Sequence, residues 1–598
     1  MQNSVPLVRD VVLVGGGHTH ALVLRAWGMN PVPGARLTLV HPAATAPYSG
    51  MLPGHIAGHY ARDDLEIDMV RLARFAGARL IPTAATGLDP ARKVLSVEGR
   101  CDIAYDILSL DIGVTAKMPE TPGFAAHGLP AKPLGGLAEG WARFCDGAAT
   151  GARVVVIGGG VAGAELAMAA AHRLRDLDPT VTVIDRGNVL VALPPRARAR
   201  MRAAMAEAGI EVIEGMAVAE VTATAVRLQD GRDIAADCVI GAAGAHPHAW
   251  IAGTGLTTEA GYLTVDRSLR SVDDPSVYAA GDCAHLAHAP RPKAGVFAVR
   301  AAPILTHNLR ADLTGGPRRS FRPQRDYLKL VSLGRKAALG EKAGLVVAGA
   351  GIWRWKDWID RRFMYRVGNL PAMKSPAPPP NAARGVAAAM GAAPPCGGCG
   401  AKIGAGALAA GTGAVRPGGR ADVVLGMGDD AAILKLGGAR QALSTDHLRG
   451  FAEDPALVAR VAALHAMGDI WAMRARPQVA LAQVILPRMA EALQTRTMSE
   501  VMAAASDAFA GAGAEIVGGH SSEGAELSVG FTVTGVLDRA PLSTAGARPG
   551  DALILSRPLG TGILLAAEMA GRARGADILE LWDLMATPQG DAAEILAE

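Results

Sequence analysis

RVVVIGGGVAGAELAMAAAHRL, residues 153 to 174, decides the fold of much of this chain. A Val/Ile run enters a Gly-rich turn and leaves it as an Ala-rich helix, with Gly158, Gly160 and Gly163 at the G-x-G-x-x-G spacing. Such a turn brings backbone amides and a helix N-terminus onto a pyrophosphate, so the segment reads as strand, dinucleotide turn and helix. VTVIDR follows at 181 to 186 and places Asp185 where a carboxylate accepts hydrogen bonds from an adenosine ribose. That makes NAD(P)H the expected ligand. Arg186 could receive a 2′-phosphate, so NADH, the favoured coenzyme, and NADPH both stay open. Glu165, one turn into the helix, either faces a nicotinamide or is a carboxylate stabilised by the helix dipole.

Upstream, VVLVGGGHTHALVLRAW at 11 to 27 repeats the pattern in degenerate form. Gly15 and Gly17 fit the first two glycines, but His20 holds the third position, and LTLV at 37 to 40 ends in His41 instead of an acid. Far downstream, SVYAAGDCA at 276 to 284 ends a β-type run in Gly281 and Asp282. Together with YDILSLDIG at 105 to 113 and ADCVIGAAGAHP at 236 to 247, this resembles the type II NADH dehydrogenase and ferredoxin reductase-like branch of the pyridine nucleotide oxidoreductases. The resemblance implies FAD held by Gly15, Gly17, Gly281 and Asp282, and NAD(P)H held by Gly158, Gly160, Gly163 and Asp185. YSGMLPGHIAGHY at 48 to 60 carries no C-x4-C pair, so hydride is expected to reach an external acceptor through flavin without a thiol relay. By the same resemblance, PKAGVFAVRAAP at 292 to 303 marks the acceptor side.

GIWRWKDWIDRRFMYRV at 351 to 367 reads as a helix with Ile352, Trp355, Ile359 and Phe363 on one face and Lys356, Asp360 and Arg361 pointing away. It suits either an interface helix covering the flavin domain, the favoured reading, or peripheral membrane contact. The Pro-rich stretch from 373 to 395 reads as a linker.

Beyond it stand CGGCGAK at 396 to 402, GDDAA at 428 to 432, STDH at 444 to 447, GDIWAM at 468 to 473 and GGHS at 518 to 521. A thiol, a lysine and several Asp residues suit Mg2+-dependent phosphoryl transfer to a soft nucleophile, with carboxylates on the metal and an ammonium on phosphate. A zinc half-site or a redox dithiol at Cys396 and Cys399 are the rival readings. The order of the segments resembles selenide, water dikinase. That resemblance implies catalytic Cys399 and Lys402, ATP contacts from Lys402, Met427, Gly428, Asp429, Asp446, Asp469, Gly519, His520 and Ser521, and Mg2+ on Asp430 and Asp469. It also implies a homodimer, and a kinase part that stops near where the family places a further metal-binding Asp.

With 598 residues, several cores are expected. Lys plus Arg at 60 against Asp plus Glu at 56 leaves no basic groove for nucleic acid. Six Cys make no disulfide framework, and no 18-residue apolar span appears, so a cytoplasmic protein without a transmembrane segment is expected. The expected fold class is α/β: two Rossmann-like dinucleotide-binding domains, followed by an α+β domain like the N-terminal domain of aminoimidazole ribonucleotide synthetase. The expected boundaries are 1–120 with 240–315 for FAD, 121–239 for NAD(P)H, 316–372 as interface segment, 373–395 as linker and 396–598 for the ATP-binding part. The expectation is a bifunctional fusion of an FAD-dependent NAD(P)H oxidoreductase with a selenide, water dikinase. The alternative is an NADH:quinone oxidoreductase carrying a catalytically silent ATP-binding, dimerising module.

Overall fold

The structure, a computed structural model, describes residues 5–116, 118–372, 378–391, 402–416 and 418–597. Cys396 and Cys399 therefore lie outside the described residues.

Arg9–Val14 (β1) leads into His18–Met29 (α1), and Ala35–Val40 (β2), Arg79–Ile81 (β3) and Ile107–Leu110 (β4) follow. From Val11 onward β1 is apolar because both its faces are covered: Val11 and Leu13 enter one core cluster, Val12 and Val14 another. The chain then forms a second parallel sheet from Gly128–Pro130 (β5), Arg153–Ile157 (β6), Thr180–Ile184 (β7), Glu211–Ile213 (β8) and Cys238–Gly241 (β9), with Val161–Leu174 (α2) after β6. Its order is β5-β9-β6-β7-β8, and β6 divides Val154 and Val156 from Val155 and Ile157 in the same two-faced way. Val277–Ala279 (β10) returns to complete the first sheet as β10-β4-β1-β2-β3, and Gly295–Thr314 (α3) packs on α1.

Ala350–Gly368 (α4) confirms the expected helix, with Arg361 outward and Phe363 packed as expected, and departs from the expected faces at Lys356, Asp360 and Trp355. Lys356 and Asp360 are buried, whereas Trp355 and Trp358 are exposed. The reason is pairing: Lys356 Nζ meets Asp360 Oδ2 at 2.6 Å and donates to the Gly50 carbonyl at 2.5 Å, and the Tyr48 hydroxyl donates to Asp360 Oδ1 at 3.1 Å. Charges satisfied on this scale tolerate burial.

The last part is a six-stranded sheet of Val423–Leu425 (β11), Ala432–Leu436 (β12), Ala439–Arg449 (β13), Arg476–Pro487 (β14), Glu515–Gly524 (β15) and Ser528–Leu537 (β16). The order is β11-β12-β13-β16-β14-β15, antiparallel except for β14 and β15. Pro455–Ala472 (α5) and Glu491–Gly511 (α6) cover one face, while Leu481, Ile485 and Val517 are exposed on strands of the sheet.

This part docks on the amino ends of the first sheet's strands. Arg496 from α6 reaches Asp10 at 3.0 Å and Asp106 at 3.3 Å, and Asp10 also holds Arg36. Glu500, one turn on, receives Arg79 at 3.0 Å and Arg100 at 2.7 Å, and Arg100 also reaches Asp454, the N-cap of α5, at 2.7 Å. The first sheet thus keeps its carboxyl end, where ligands of such folds bind, away from this interface.

Candidate functional site

At the carboxyl end of the first sheet, Gly15 opens the turn after β1, and Gly281 with Asp282 forms a short turn after β10. A cavity of about 680 Å3 joins Gly15, Gly17, His18, His41, Asp111, Lys132, Gly281 and Asp282. Gly17 is required by close approach: a Cβ there would lie 2.3 Å from the Asp111 carboxylate. Asp111 Oδ2 accepts the His20 amide at 3.0 Å, and burial pushes its carboxyl up to about 7, with Asp282 adding to the shift. The two departures from the usual glycine fingerprint are accounted for by hydrogen bonds. His20 is fully buried, with Nδ1 2.8 Å from the Gly15 carbonyl and Nε2 2.9 Å from Ser109 Oγ. His41 Nδ1 accepts the Gly16 amide at 3.2 Å, so an imidazole holds the turn where an acid was expected.

Sequence reasoning did not single out Asp111, His18 or Lys132. Asp111 could have been found as the acid ending the buried run ILSLD. Lys132 pairs with Asp282 at 3.5 Å across the cavity wall. Burial holds the His18 imidazole down at about 4, hence neutral near pH 7, and its ring lies 5.1 Å from Tyr48, which stacks on Phe363 of α4 at 4.6 Å. A glycine turn at a helix N-terminus, a cavity of this size and a neutral aromatic wall suit an adenine dinucleotide with a flat ring system.

In the second sheet, Gly158 opens the turn, Gly160 is the N-cap of α2 and Gly163 lies in its first turn. A Cβ on Gly163 would stand 1.8 Å from the Gly158 carbonyl, so helix and strand meet this closely only with glycine there. Asp185 accepts the Gly159 amide at 2.6 Å and the Gly187 amide at 2.7 Å, which fixes its carboxylate beside the turn. Glu165 accepts the Ser332 amide at 2.6 Å. Burial raises it to about 7 even though Lys356 pulls the other way.

The acidic segments of the last part converge around α5. Ser444 on β13 donates to Asp469 Oδ2 at 2.6 Å and to the Asp430 carbonyl at 3.3 Å. Asp446 Oδ2 lies 2.9 Å from His465 Nε2, one turn before Asp469, and Asp446 Oδ1 accepts the His447 amide at 2.7 Å. Burial raises the Asp469 carboxyl, and the nearby Asp446 and Asp430 raise it further. For Asp446 burial is outweighed by His465 and by Lys402, whose charge acts on both, and its carboxyl is lowered. Asp429 turns toward Ser543 and Thr544, accepting the Ser543 hydroxyl at 2.8 Å. Oxygen donors carrying excess negative charge suit Mg2+ in type, although among the described residues no three His, Cys, Asp or Glu are already gathered at metal-binding separation. Met427 and Gly428 sit in the exposed turn before Asp429. Gly519, His520 and Ser521 are not brought to this cluster: they lie on β15, three strand positions from β13, about 14 Å away at ordinary sheet spacing. His465 was missed, and its i, i+4 spacing to Asp469 was the available signal.

Residues 9–302 match the family described as pyridine nucleotide-disulphide oxidoreductase, and residues 428–537 match AIR synthase related protein, N-terminal domain. By structure, the chain is similar to the NDH2 of Plasmodium falciparum (TM-score 0.52, 13% identity, 60% of this chain and 97% of that one). It is similar on the same scale to the sulfide:quinone oxidoreductase of Aquifex aeolicus (TM-score 0.51, 16% identity, 60% and 92%). At these identities the likeness concerns the fold. By sequence, the last part is 40% identical over 144 residues to the selenide, water dikinase of Nitratidesulfovibrio vulgaris strain Miyazaki F, covering 24% of this chain and 41% of that protein. For that of Myxococcus xanthus the identity is 35% over 206 residues, covering 34% and 58%. The chain thus spans about half the length of the curated relatives it matches. Fold and site together define an enzyme of the pyridine-nucleotide oxidoreductase type, whose family implies flavin and NAD(P)H. More particularly, the chain is a fusion of a pyridine nucleotide-disulphide oxidoreductase domain with a selenide, water dikinase-like AIR synthase domain.

Proposed function

We propose that this chain is a bifunctional enzyme, in which an FAD-dependent NAD(P)H oxidoreductase is joined to a selenide, water dikinase that forms selenophosphate, AMP and phosphate from ATP, selenide and water. The observation that carries the reading is the convergence of Asp430, Ser444, Asp446 and Asp469 behind two complete dinucleotide units in one chain. Bound FAD and NAD(P)H would supply two-electron hydride chemistry. Gly15 and Gly17 would take the FAD diphosphate, Gly281 and Asp282 its ribityl side, and Gly158, Gly160, Gly163 and Asp185 the NAD(P)H. Glu165, poised near neutrality, stands ready to give or take a proton. In the last part Asp430 and Asp469 would hold Mg2+, Lys402 would face phosphate and Cys399 would handle selenide. Met427, Gly428, Asp429 and Asp446 would contact ATP. The exposed sheet face carrying Leu481 and Val517 suits a homodimer, and Gly519, His520 and Ser521 would then serve a partner's site. Among the described residues no helix is long and apolar enough to cross a membrane.

Anaerobic incubation with ATP, Mg2+ and selenide should yield AMP that depends on selenide and is lost in Cys399→Ser. The oxidoreductase half should oxidise NAD(P)H with an oxidised selenium compound as acceptor; activity with a dye but not with selenium compounds would remove the link between the halves. One observation favours a second reading. Trp355, Trp358 and Tyr365 are exposed on α4 among Arg354, Arg361 and Arg362, a pattern suited to a membrane surface, and lipid-dependent quinone reduction would establish it.

A further inference from the structure

A smaller cavity, of about 210 Å3, adjoins the turn of Gly281 and Asp282 and is lined by α3 and by the paired strands Tyr262–Val265 and Ala284–Leu286. Gly281 and Asp282 also line the dinucleotide cavity, so the two spaces share a wall. Sites that enclose ligands of several rings ordinarily measure about 300 to 1,000 Å3, which leaves this one to a small ligand. We propose that it binds a small oxyanion, ion-paired to Lys293. The inference goes beyond the proposed function, which gives this cavity no ligand.

Lys293 is a cation without a counter-charge. Its ammonium donates to the Ala284 carbonyl at 2.6 Å and stands 3.9 Å from the centre of the Tyr262 ring, and among the described residues no carboxylate lies within ion-pair distance of it. Asp282, a carboxylate whose charge reaches it, is bridged at 3.5 Å to Lys132, which lines the dinucleotide cavity instead. Burial pulls the Lys293 ammonium below the ordinary lysine value, the direction taken by a cation that burial has stripped of water. Two more donors line the same space. Arg291 gives Nε to the Gln324 carbonyl at 3.1 Å and Nη1 to the Pro290 carbonyl at 2.9 Å, which leaves Nη2 without a partner among the described residues, and the His285 ring has none there either. Behind them Leu269, Phe297 and Phe321 are buried and apolar, and surroundings of low dielectric strengthen the attraction between an ammonium and an anion. Glu259 is the opposing charge, but it is exposed, where water screens it. An ammonium, a guanidinium edge and an imidazole are each donors suited to the oxygens of an oxyanion.

The full, oxidised, flavin-loaded chain is titrated with selenite, phosphate and acetate at an ionic strength held constant with chloride, without NAD(P)H so that nothing turns over. Because the two cavities share the Gly281 and Asp282 wall, selenite or phosphate should shift the flavin spectrum in a saturable way, and Lys293→Met should weaken that titration by about tenfold or more. In the unmodified chain, acetylation of Lys293 by acetic anhydride, read by peptide mass spectrometry, should slow when selenite or phosphate is present, a readout that does not depend on how the methionine variant folds. Acetylation at the same rate with and without either oxyanion, a titration that Lys293→Met leaves unchanged, or tighter binding of acetate than of both oxyanions would overturn the proposal. A chain that takes up no FAD would instead overturn the oxidoreductase reading, and protection of Lys293 would still decide this inference.

Discussion

Removing the Glu500 carboxylate should uncouple the two halves of this chain. Glu500 receives Arg79 Nη1 on both oxygens at 3.0 Å and Arg100 Nη2 at 2.7 Å, and the Arg79 and Glu500 side chains are 2% and 8% exposed. In Glu500→Ala, Arg100 keeps Asp454, but Arg79 is left as a buried cation that has lost its hydrogen-bonded ion-pair partner and retains only the nearby charge of Asp10, which costs about 3 kcal/mol. Because the pair links the first sheet to α6, the loss should appear in the first unfolding transition in urea and as faster amide exchange along α6 and β3. Arg79→Leu with Glu500→Leu removes both charges together and should return to within about 1 to 2 kcal/mol of the parent, since paired removal avoids the stranded charge. A Glu500→Ala protein within about 1 kcal/mol of the parent would refute the reasoning, because it would mean that water reaches this network.

Gly163→Ala, whose Cβ would meet the Gly158 carbonyl at 1.8 Å, should weaken NAD(P)H binding by about tenfold or more while the flavin spectrum and its reduction by dithionite persist. Asp111 should make the flavin-free protein sensitive to pH. Its folded value near 7 lies above the unfolded one, so its stabilising effect is complete below about pH 4 and is lost as pH rises through 7, amounting to about 4 kcal/mol. Asp111→Asn should flatten that slope in thermal unfolding measured across pH. Glu165→Gln should remove an ionisation near 7 from the pH profile of acceptor reduction without changing FAD content; a profile identical to that of the parent would assign Glu165 to structure alone.

Period and spacing carried much of the fold to the surface of the sequence. Residues 11–14 of β1 and 154–157 of β6 are apolar at every position because parallel strands are covered on both faces, and a glycine turn followed by a helix pattern is a local signal. The Asp segments were legible as short local patterns, with Asp429 and Asp430 in a turn, Asp446 on β13 and Asp469 on α5. What escaped was whatever depends on partners distant in sequence. His20 and His41 looked like defects in a fingerprint until Ser109 and the Gly16 amide appeared beside them. Helix periodicity placed Lys356 and Asp360 outward on polarity alone, whereas Gly50 and Tyr48, some 300 residues earlier, supply the hydrogen bonds that let them face in.

By itself, then, the sequence determined two glycine-turn α/β units and an acidic α+β unit, since helix and strand periods, glycine spacing and turn residues act over a few positions. Only the tertiary structure decided that the acidic unit sits on the amino ends of the first sheet and that Gly519, His520 and Ser521 stand apart from Asp446. It also decided which charges are buried. Those outcomes depend on desolvation and ion pairing between residues hundreds of positions apart, such as Arg79 and Glu500, and no local pattern encodes them.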